Sequence, residues 1–212
     1  MFGTNRQSKQ AASAGNRARG LLVLLLLPAW LAAARADQVN VTVEDSHGRY
    51  TVAGELVTIA PPSVAWSVLT DYDHISAFVS SMKTSVAERS DDGRTIVRQA
   101  AAAGIFPVRK VVHVALEVRE DPERLLVFRD VSGNDFSTYE GEWQMAGDST
   151  GTRIWYRLQA APRTSIPFVG RGIMRRSVRE LLSQVGAEMA RRAAGEGTPR
   201  ASVPARLSAD GP

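Results

Sequence analysis

Hydrophobic and polar residues alternate over most of residues 39–160, which is the pattern of β-strands that are buried on one face. The first predicted strand begins near Val39, and Ser46-His47-Gly48-Arg49 supplies a turn into a second strand, Tyr50–Ile59. Six more strands are predicted further along the chain: Met82–Arg89, Thr95–Ala101, Val108–Glu120, Leu125–Asp130, Phe136–Met145 and Thr152–Ala160.

Two short helices are predicted between the second and third strands. Pro61-Pro62 ends the second strand, and the apolar spacing then changes from two residues to three and four. The apolar positions of this segment are Val64, Val68, Leu69, Ile75, Phe78 and Val79. A join near Thr70-Asp71 divides them into two helices.

A long helix is predicted near the end of the chain, within residues 168–192. Its apolar stripe consists of Met174, Val178, Leu181, Leu182, Val185 and Met189, and charged or polar residues occupy the other side. A helix of about 20 residues is roughly 30 Å long, so this stripe needs a broad apolar partner. We therefore expect a curved sheet to close around the helix, with room for an apolar ligand where the two do not fully meet.

The first 36 residues are predicted to be a signal peptide. Four basic residues precede an apolar run of 14 residues, Leu21–Ala34, and Ala34-Arg35-Ala36 fits the small-x-small cleavage pattern. The run is shorter than the about 20 residues that span a membrane, although an uncleaved anchor is an alternative. We expect cleavage after Ala36 and a periplasmic or secreted protein.

Removal of this segment changes the interpretation of the charge. The chain has 26 Lys and Arg against 22 Asp and Glu, and segment 1–36 carries five of the basic residues and none of the acidic ones. The remaining 176 residues are close to neutral, so we expect no nucleic-acid partner. That length suits one domain, and the absence of cysteine means that the domain depends on its core rather than on disulfides.

The side chains that could carry chemistry do not form a recognisable catalytic set. The cluster Asp71-Tyr72-Asp73-His74 contains a single histidine, whereas a metal site needs three or four converging ligands, and its aspartates suit helix caps and turns. His113 alternates onto the outer face of its strand, and no Gly-x-Ser-x-Gly motif is present. We therefore predict no catalytic residue, no metal and no cofactor.

Several segments resemble the START-like (SRPBCC) superfamily, and within it the polyketide cyclase/dehydrase and coenzyme Q-binding group. The similar segments are Val64-Ala-Trp-Ser-Val-Leu-Thr-Asp-Tyr72, Tyr139-Glu-Gly-Glu-Trp143, Thr152-Arg-Ile-Trp-Tyr156, Ile166-Pro167-Phe168 and the final helix, and together they cover roughly Tyr50 to Arg192. The resemblance implies an α+β helix-grip fold, in which an antiparallel sheet wraps a long C-terminal helix and leaves a cavity between them. On this basis residues 37–194 form a START-like ligand-binding domain, and residues 195–212 form a tail expected to be disordered.

The same resemblance implies binding of a hydrophobic small molecule such as a lipid, a quinone or a polyketide. Some relatives are cyclases or dehydratases that use polar side chains in the same cavity, and one fold can serve either role. We expect a binding protein without covalent chemistry. A cyclase-type or dehydratase-type enzyme and a non-catalytic interaction module with a filled core are the alternatives.

The large side chains that face inward are the candidate cavity lining. They are Phe78, Met82, Phe106 (in a predicted loop, Ala102–Pro107), Phe128, Tyr139, Trp143, Tyr156, Phe168 and Met174. Tyr139, Tyr156 and Arg98 are the candidate groups that orient a ligand. Asp130 and Asp135 could also reach the cavity, where burial would raise their pKa, although solvated strand ends are the simpler interpretation. For any one of the large side chains, plain core packing explains the residue equally well.

One local concentration of basic residues remains outside segment 1–36. Arg171, Arg175, Arg176 and Arg179 lie at the start of the predicted C-terminal helix, next to the apolar Ile166–Val169. A basic and apolar edge near a cavity mouth could contact anionic lipid headgroups transiently. A solvated helix face, with Glu180 and Glu188 among its charges, is the simpler interpretation.

Overall fold

The computed structural model of the protein describes residues 39–105, 108–163 and 170–196. Its strands are β1 (Val39–Ser46), β2 (Arg49–Thr58), β3 (Met82–Arg89), β4 (Thr95–Ile105), β5 (Val108–Asp121), β6 (Leu125–Asp130), β7 (Phe136–Asp148) and β8 (Gly151–Pro162). Its helices are α1 (Pro62–Leu69), α2 (Ile75–Phe78) and α3 (Arg171–Glu196), and a short 3-10 turn, Tyr72–His74, precedes α2.

All eight strands belong to one antiparallel sheet with the order β1-β2-β8-β7-β6-β5-β4-β3. Strands β3 to β8 follow one another as a meander, and β8 then returns to pair with β2, from Tyr50 opposite Ala160 to Thr58 opposite Thr152. The sheet is long and curved, and the long helix follows the last strand. The predicted α+β helix-grip fold is confirmed.

The inner face of the sheet is built by strict alternation along the strands. In β2, Tyr50, Val52 and Leu56 are buried while the residues between them face outward or are half-buried, and β8 repeats the pattern with Ile154 and Leu158. Because side chains on a strand alternate between the two faces, these residues form one continuous apolar surface. That surface is the floor on which the helices pack.

Helix α3 packs its apolar stripe on β1, β2 and α1. Val178, Leu182, Val185 and Met189 are buried, and Met174 and Leu181 are partly buried against the same core, so the predicted stripe is confirmed. At Gly54 a Cβ atom would lie 2.6 Å from Cδ1 of Leu182. The missing side chain of Gly54 is therefore what lets the helix approach β2 this closely.

Two boundaries differ from the sequence prediction. Strand β4 continues through Ala102 and Ala103, which pair with Val111 and Lys110 of β5, so the loop predicted from Ala102 begins later. Alanine gives no periodic signal of its own, and pairing with the long neighbouring strand extends β4. Helix α3 runs to Glu196 and therefore includes the first two residues of the predicted tail.

The predicted signal peptide, 1–36, and most of the predicted tail lie outside the described residues, as do Phe106 and Phe168. Within the described part of the chain, none of the helices has the length and apolar character needed to cross a bilayer.

Candidate functional site

An apolar cavity of about 120 Å³ lies between the inner face of the sheet and the helices. Its described walls come from strands β3 to β8, from α1 and α3, and from the segment 70–80 that links α1 to β3. Its lining residues are Val68, Leu69, Tyr72, Ile75, Phe78, Val79, Met82, Val97, Gln99, Leu116, Val118, Leu126, Phe128, Tyr139, Trp143, Tyr156, Leu181 and Val185. Six of the predicted lining residues are therefore brought together here: Phe78, Met82, Phe128, Tyr139, Trp143 and Tyr156.

Four aromatic rings from three neighbouring strands form one wall of this cavity. The Phe128 ring of β6 lies 6.1 Å from the Tyr139 ring and 6.3 Å from the Tyr156 ring, measured between centroids. The rings of Trp143 and Tyr156 are 4.4 Å apart and tilted by 49°. Such offset and tilted contacts stabilise the wall beyond the burial of its area. The wall therefore presents a rigid aromatic surface to whatever occupies the cavity.

The hydroxyls of Tyr139 and Tyr156 have no hydrogen-bond partner among the described residues. Every fully buried side-chain oxygen or nitrogen of those residues does have a partner, so each of these two hydroxyls keeps some accessible surface, and both residues line the cavity. Burial raises the pKa of Tyr139 to about 12, with a smaller effect from Asp130. Burial also raises the pKa of Tyr156 well above its ordinary value. Both side chains are therefore neutral hydrogen-bond donors near pH 7.

The polar side chain that β4 contributes to the cavity is Gln99, which the sequence analysis missed. Its Nε2 donates to the hydroxyl of the buried Ser85 over 3.2 Å. The prediction that Arg98 faces the cavity is wrong, because Arg98 points to the outer face and its Nε donates to Glu88 over 2.9 Å. Adjacent residues of a strand face opposite sides of the sheet. A prediction that is wrong by one position therefore places the outward-facing Arg98 in the cavity instead of its inward-facing neighbour Gln99.

Other predicted residues lie elsewhere. Met174 packs against the core at the start of α3 but does not line the cavity. Asp130 accepts hydrogen bonds from the backbone of Ala115, Ser132 and Gly133, which is a structural role in the turn after β6. The pKa of Asp135 is lowered rather than raised, because the carboxylate accepts the backbone N–H of His113 and a bond from Lys110. Neither aspartate belongs to the cavity.

We call residues 70–80 the lid, because Tyr72, Ile75, Phe78 and Val79 of this segment cover the cavity. Polar bonds at the rim join the lid to other elements. The Tyr72 hydroxyl donates to Glu120 over 2.7 Å, and a carboxylate oxygen of Asp73 accepts the backbone N–H of Ala87 over 2.8 Å. The lid therefore presents apolar side chains inward and is fixed by hydrogen bonds at its edges.

Helix α3 holds both ends of the lid. At one end, Ser80 donates its backbone N–H to Gln184 over 3.0 Å and its hydroxyl to Glu180 over 3.2 Å. At the other end, Nη2 of Arg192 lies 2.6 Å from the Asp71 carboxylate. The Arg192 guanidinium also lies 5.9 Å from the centroid of the Phe78 ring, within the range of a cation–π contact. Movement of the lid therefore requires these contacts with α3 to break.

Asp71 is one of the aspartates that were expected to suit caps and turns, and it stands at the N-cap position of the 3-10 turn. Its side chain makes no capping bond, however, and instead binds His74 and Arg192, each over 2.6 Å. Burial alone would raise the pKa of Asp71, but these two hydrogen bonds outweigh burial and hold the pKa below its ordinary value. Among the described residues, no three His, Asp or Glu side chains group in a way that could hold a metal.

A second, larger groove of about 590 Å³ lies on the outer face of the sheet. It is open and charged, with Val127 between Arg129, Glu142 and Arg157. Beneath it Glu117 is buried although it faces outward, because Arg94 and Arg119 cover and bond its carboxylate. The charges of this groove largely pair with one another, so the apolar cavity is the better candidate for a small-molecule site.

The sequence and fold comparisons agree with this geometry. A family model described as polyketide cyclase/dehydrase and lipid transport matches residues 39–194. The chain belongs to this family. The predicted resemblance to the START-like superfamily is confirmed, and membership suggests either binding of a hydrophobic ligand or a cyclase-type activity. No curated protein sequence matches the chain.

Solved structures match the fold over nearly their whole length. The Zhui aromatase/cyclase of Streptomyces sp. R1128 has a TM-score of 0.57 at 17% identity, covering 71% of this chain and 99% of that one. The protein TTHA0849 of Thermus thermophilus has a TM-score of 0.55 at 21% identity, covering 70% and 99%. A START superfamily protein of Mycobacterium smegmatis has a TM-score of 0.51 at 15% identity, covering 69% and 98%. At these identities the likeness concerns the fold alone.

Proposed function

We propose that this protein binds one hydrophobic small molecule in the cavity between the sheet and α3, without covalent chemistry. The observation that carries the proposal is the chemistry of the lining. None of the eighteen described lining residues has a carboxylate, an amine, a guanidinium or an imidazole group. Apolar burial with a few polar anchors is the arrangement that small-molecule sites use.

The two unpaired hydroxyls narrow the ligand class. Because Tyr139 and Tyr156 are neutral donors that meet no described acceptor, a ligand oxygen that accepts a hydrogen bond suits this wall. The aromatic rings beside them suit a flat or unsaturated part of the ligand. A lipid carbonyl, a quinone or a polyketide ketone meets both requirements.

The size of the cavity makes opening of the lid part of the proposal. Drug-sized ligands occupy pockets of about 300–1,000 Å³, whereas this cavity measures about 120 Å³. A ligand of the proposed class therefore enters only if the lid moves away from α3. The rim bonds of Asp71, Ser80 and Tyr72 are individually modest, so such a movement is feasible.

A cyclase-type enzyme is the second candidate, because two tyrosine donors in an apolar cavity could polarise a ketone. The fold likeness to an aromatase/cyclase agrees with this alternative. Proton transfer within the cavity would also need a base, and the described lining contains no carboxylate or imidazole to act as one. Binding without turnover is therefore the better-supported proposal.

Native mass spectrometry of the protein purified from its own compartment, followed by organic extraction, tests the proposal. We expect one apolar molecule per chain, and we expect Leu181→Trp to lose that molecule by filling the cavity. The matched control is Ile59→Trp, which adds the same ring at an exposed position. Equal occupancy in both variants would contradict binding in this cavity. Turnover of an added polyketide-like ketone would favour the enzyme instead.

Export is a separate proposal that rests on the sequence of residues 1–36. The basic start, the apolar run and the Ala34-Arg35-Ala36 site are the features that support it. We expect the mature protein to begin at Asp37. Intact-mass measurement of the protein from a cell fractionation experiment checks both the cleavage site and the compartment.

A further inference from the structure

The start of α3 carries a cluster of positive charge that the proposed function does not use. Arg171, Arg175, Arg176 and Arg179 are all exposed, and the rise of 1.5 Å per residue places them within about 12 Å along the helix axis. We call these four residues the arginine face. No acidic residue lies in the first turn of α3.

The arginine face groups four arginines that have no acidic partner among the described residues, whereas most of the other described arginines have one. Nine arginines in the described part of the chain lie within 4 Å of a carboxylate: Arg94, Arg98, Arg119, Arg124, Arg129, Arg153, Arg157, Arg191 and Arg192. None of the four arginines pairs with a described carboxylate. The next acids along α3 are already bonded, Glu180 to Ser80 and Glu188 to Arg191 and Arg192. Among the described residues the four arginines therefore form no ion pair, and Glu180, the first acid along the helix, bonds Ser80 instead.

The position of Arg171 in the first turn also works slightly against the stability of the helix. The N-terminus of a helix carries partial positive charge, so cations there are mildly unfavourable, whereas carboxylates would be favourable. Arg171 and the absence of an acid in the first turn are the reverse of the stabilising arrangement. An anion bound from outside would relieve the repulsion.

We propose that the arginine face docks the protein on an anionic lipid membrane. This inference rests on the proposed function, because an apolar ligand has to pass between a lipid phase and the cavity. Ile173 and Met174 are half-buried beside the arginines, so apolar surface accompanies the charge. Arg179 directly precedes Glu180, which holds the lid through Ser80, and Leu181, which lines the cavity. Docking by this face brings the rim of the lid next to the lipid headgroups.

Vesicle sedimentation tests the inference, with vesicles of phosphatidylcholine alone and of phosphatidylcholine mixed with phosphatidylglycerol. We expect binding only to the anionic vesicles, and weaker binding as salt is raised. A triple variant, Arg175→Gln, Arg176→Gln and Arg179→Gln, should bind the anionic vesicles roughly a hundredfold more weakly than the parent protein. The reason is that each lost charge lowers the affinity about fivefold. The matched control replaces Arg49, Arg89 and Arg163 with Gln, which removes the same charge from exposed arginines outside α3 that also have no described carboxylate partner.

Equal loss in both triple variants would overturn the inference, because net charge rather than this face would then govern binding. Tighter binding of a short DNA duplex than of anionic vesicles, lost in the same triple variant, would assign the face to nucleic acid and would also overturn it. Native mass spectrometry of the same variants separates the two proposals. Ligand occupancy without vesicle binding rejects only the docking surface, and vesicle binding without any occupancy rejects the ligand-binding function.

Discussion

Nη2 of Arg192, near the end of α3, lies 2.6 Å from the carboxylate of Asp71 in the lid, although 121 residues separate the two in sequence. Both side chains are mostly buried, with exposed fractions of 22% and 24%. Arg192 also donates to Glu188 over 2.7 Å and lies over the Phe78 ring. One side chain therefore joins the long helix to the segment that covers the cavity.

Replacing Arg192 with Gln should loosen the lid. The pair is intermediate between an exposed and a buried ion pair, so we expect a loss of about 1–2 kcal/mol in the free energy of unfolding. Amide hydrogen exchange of residues 70–80 should also become faster, because these amides lose a contact that opposes opening. Chemical denaturation and exchange mass spectrometry measure the two effects.

Arg191→Gln is the control for this prediction. Arg191 also bonds Glu188, but its side chain is 70% exposed and its ion pair lies within α3 rather than with the lid. We expect only a small change in stability and unchanged exchange in residues 70–80. If both variants changed lid exchange equally, the bond between Arg192 and Asp71 would not be what holds the lid.

Lowering the pH should destabilise the same region of the protein, because Glu188 becomes protonated. Hydrogen bonds from Arg191, and then from Arg192, lower its pKa from 4.5 to about 2 in the folded protein. A carboxyl whose pKa is depressed by folding stabilises the protein above its unfolded pKa, and that contribution is lost as the pH falls toward the folded pKa. We therefore expect stability to decline between about pH 4.5 and pH 2, with at most about 3 kcal/mol from this group.

Glu188→Gln isolates that contribution from the other acids with lowered pKa values. The variant should be less stable than the parent at pH 6, and its stability should change less between pH 5 and pH 3. Asp71 contributes with the same sign, whereas the raised pKa of His74 gives stability that is lost as the pH rises through that pKa. Denaturation curves at several pH values measure the difference. Parallel pH profiles for the two proteins would rule out this role of Glu188.

The sequence predicted the fold better than it predicted the site. The fold follows from local periodicity, whereas the site depends on how separate strands and helices pair and pack. The strands and the stripe of α3 follow from periodicity within a few residues, and α3 buries Val178, Leu182 and Met189 as expected. Ile96 and Val97 are adjacent apolar residues in β4, so the local pattern does not decide which face Arg98 takes. Pairing with β5 decides it, by turning Val97 inward with Leu116 opposite.

Contacts between distant segments left no signal in the sequence. Aspartate suits caps and turns, which agrees with the position of Asp71, but nothing near it in sequence indicated its contact with Arg192. The cavity volume is likewise set by how closely α3 approaches the sheet, which Gly54 permits by leaving space for Leu182. Such distances follow from packing of the whole domain and not from any one segment.

Alanine substitutions at two glycines test how closely the elements of the domain pack, because the two changes should lower stability by different amounts. A Cβ on Gly54 meets Cδ1 of Leu182 at 2.6 Å, which is the end of a flexible side chain, so Gly54→Ala should cost about 1–3 kcal/mol. A Cβ on Gly141 meets the Phe128 ring at 2.7 Å and also the backbone carbonyl of Arg157, which cannot rotate away. Gly141→Ala should therefore be the more destabilising change.

Thermal and chemical denaturation of both glycine variants checks this order. The combination of Gly54→Ala with Leu182→Ala should be less destabilising than the sum of the two single changes, because the shortened side chain makes room for the new methyl group. Strict additivity would contradict the contact between β2 and α3. Ala53→Val, at an exposed neighbouring position, should have little effect on stability.

The hydroxyls of Tyr139 and Tyr156 provide the sharpest test of the cavity wall. Since neither hydroxyl has a described hydrogen-bond partner, Tyr139→Phe and Tyr156→Phe break no bond within the described protein. Each should leave the melting temperature nearly unchanged or slightly raised. A hydrogen bond to the ligand contributes about 0.5–1.5 kcal/mol, so each variant should bind the extracted ligand about two- to tenfold more weakly.

The control for these variants is Tyr72→Phe, because the Tyr72 hydroxyl donates to Glu120 rather than to the cavity space. Its loss should lower stability by about 1 kcal/mol while leaving the direct contact between the ligand and the aromatic wall intact. Titration followed by Trp143 fluorescence measures affinity, since that ring lies 4.4 Å from the Tyr156 ring. Undiminished affinity in Tyr139→Phe and Tyr156→Phe, together with a drop in their melting temperatures, would mean that both hydroxyls are structural. The ligand would then be held by apolar burial alone, and its oxygen would have to face another part of the cavity.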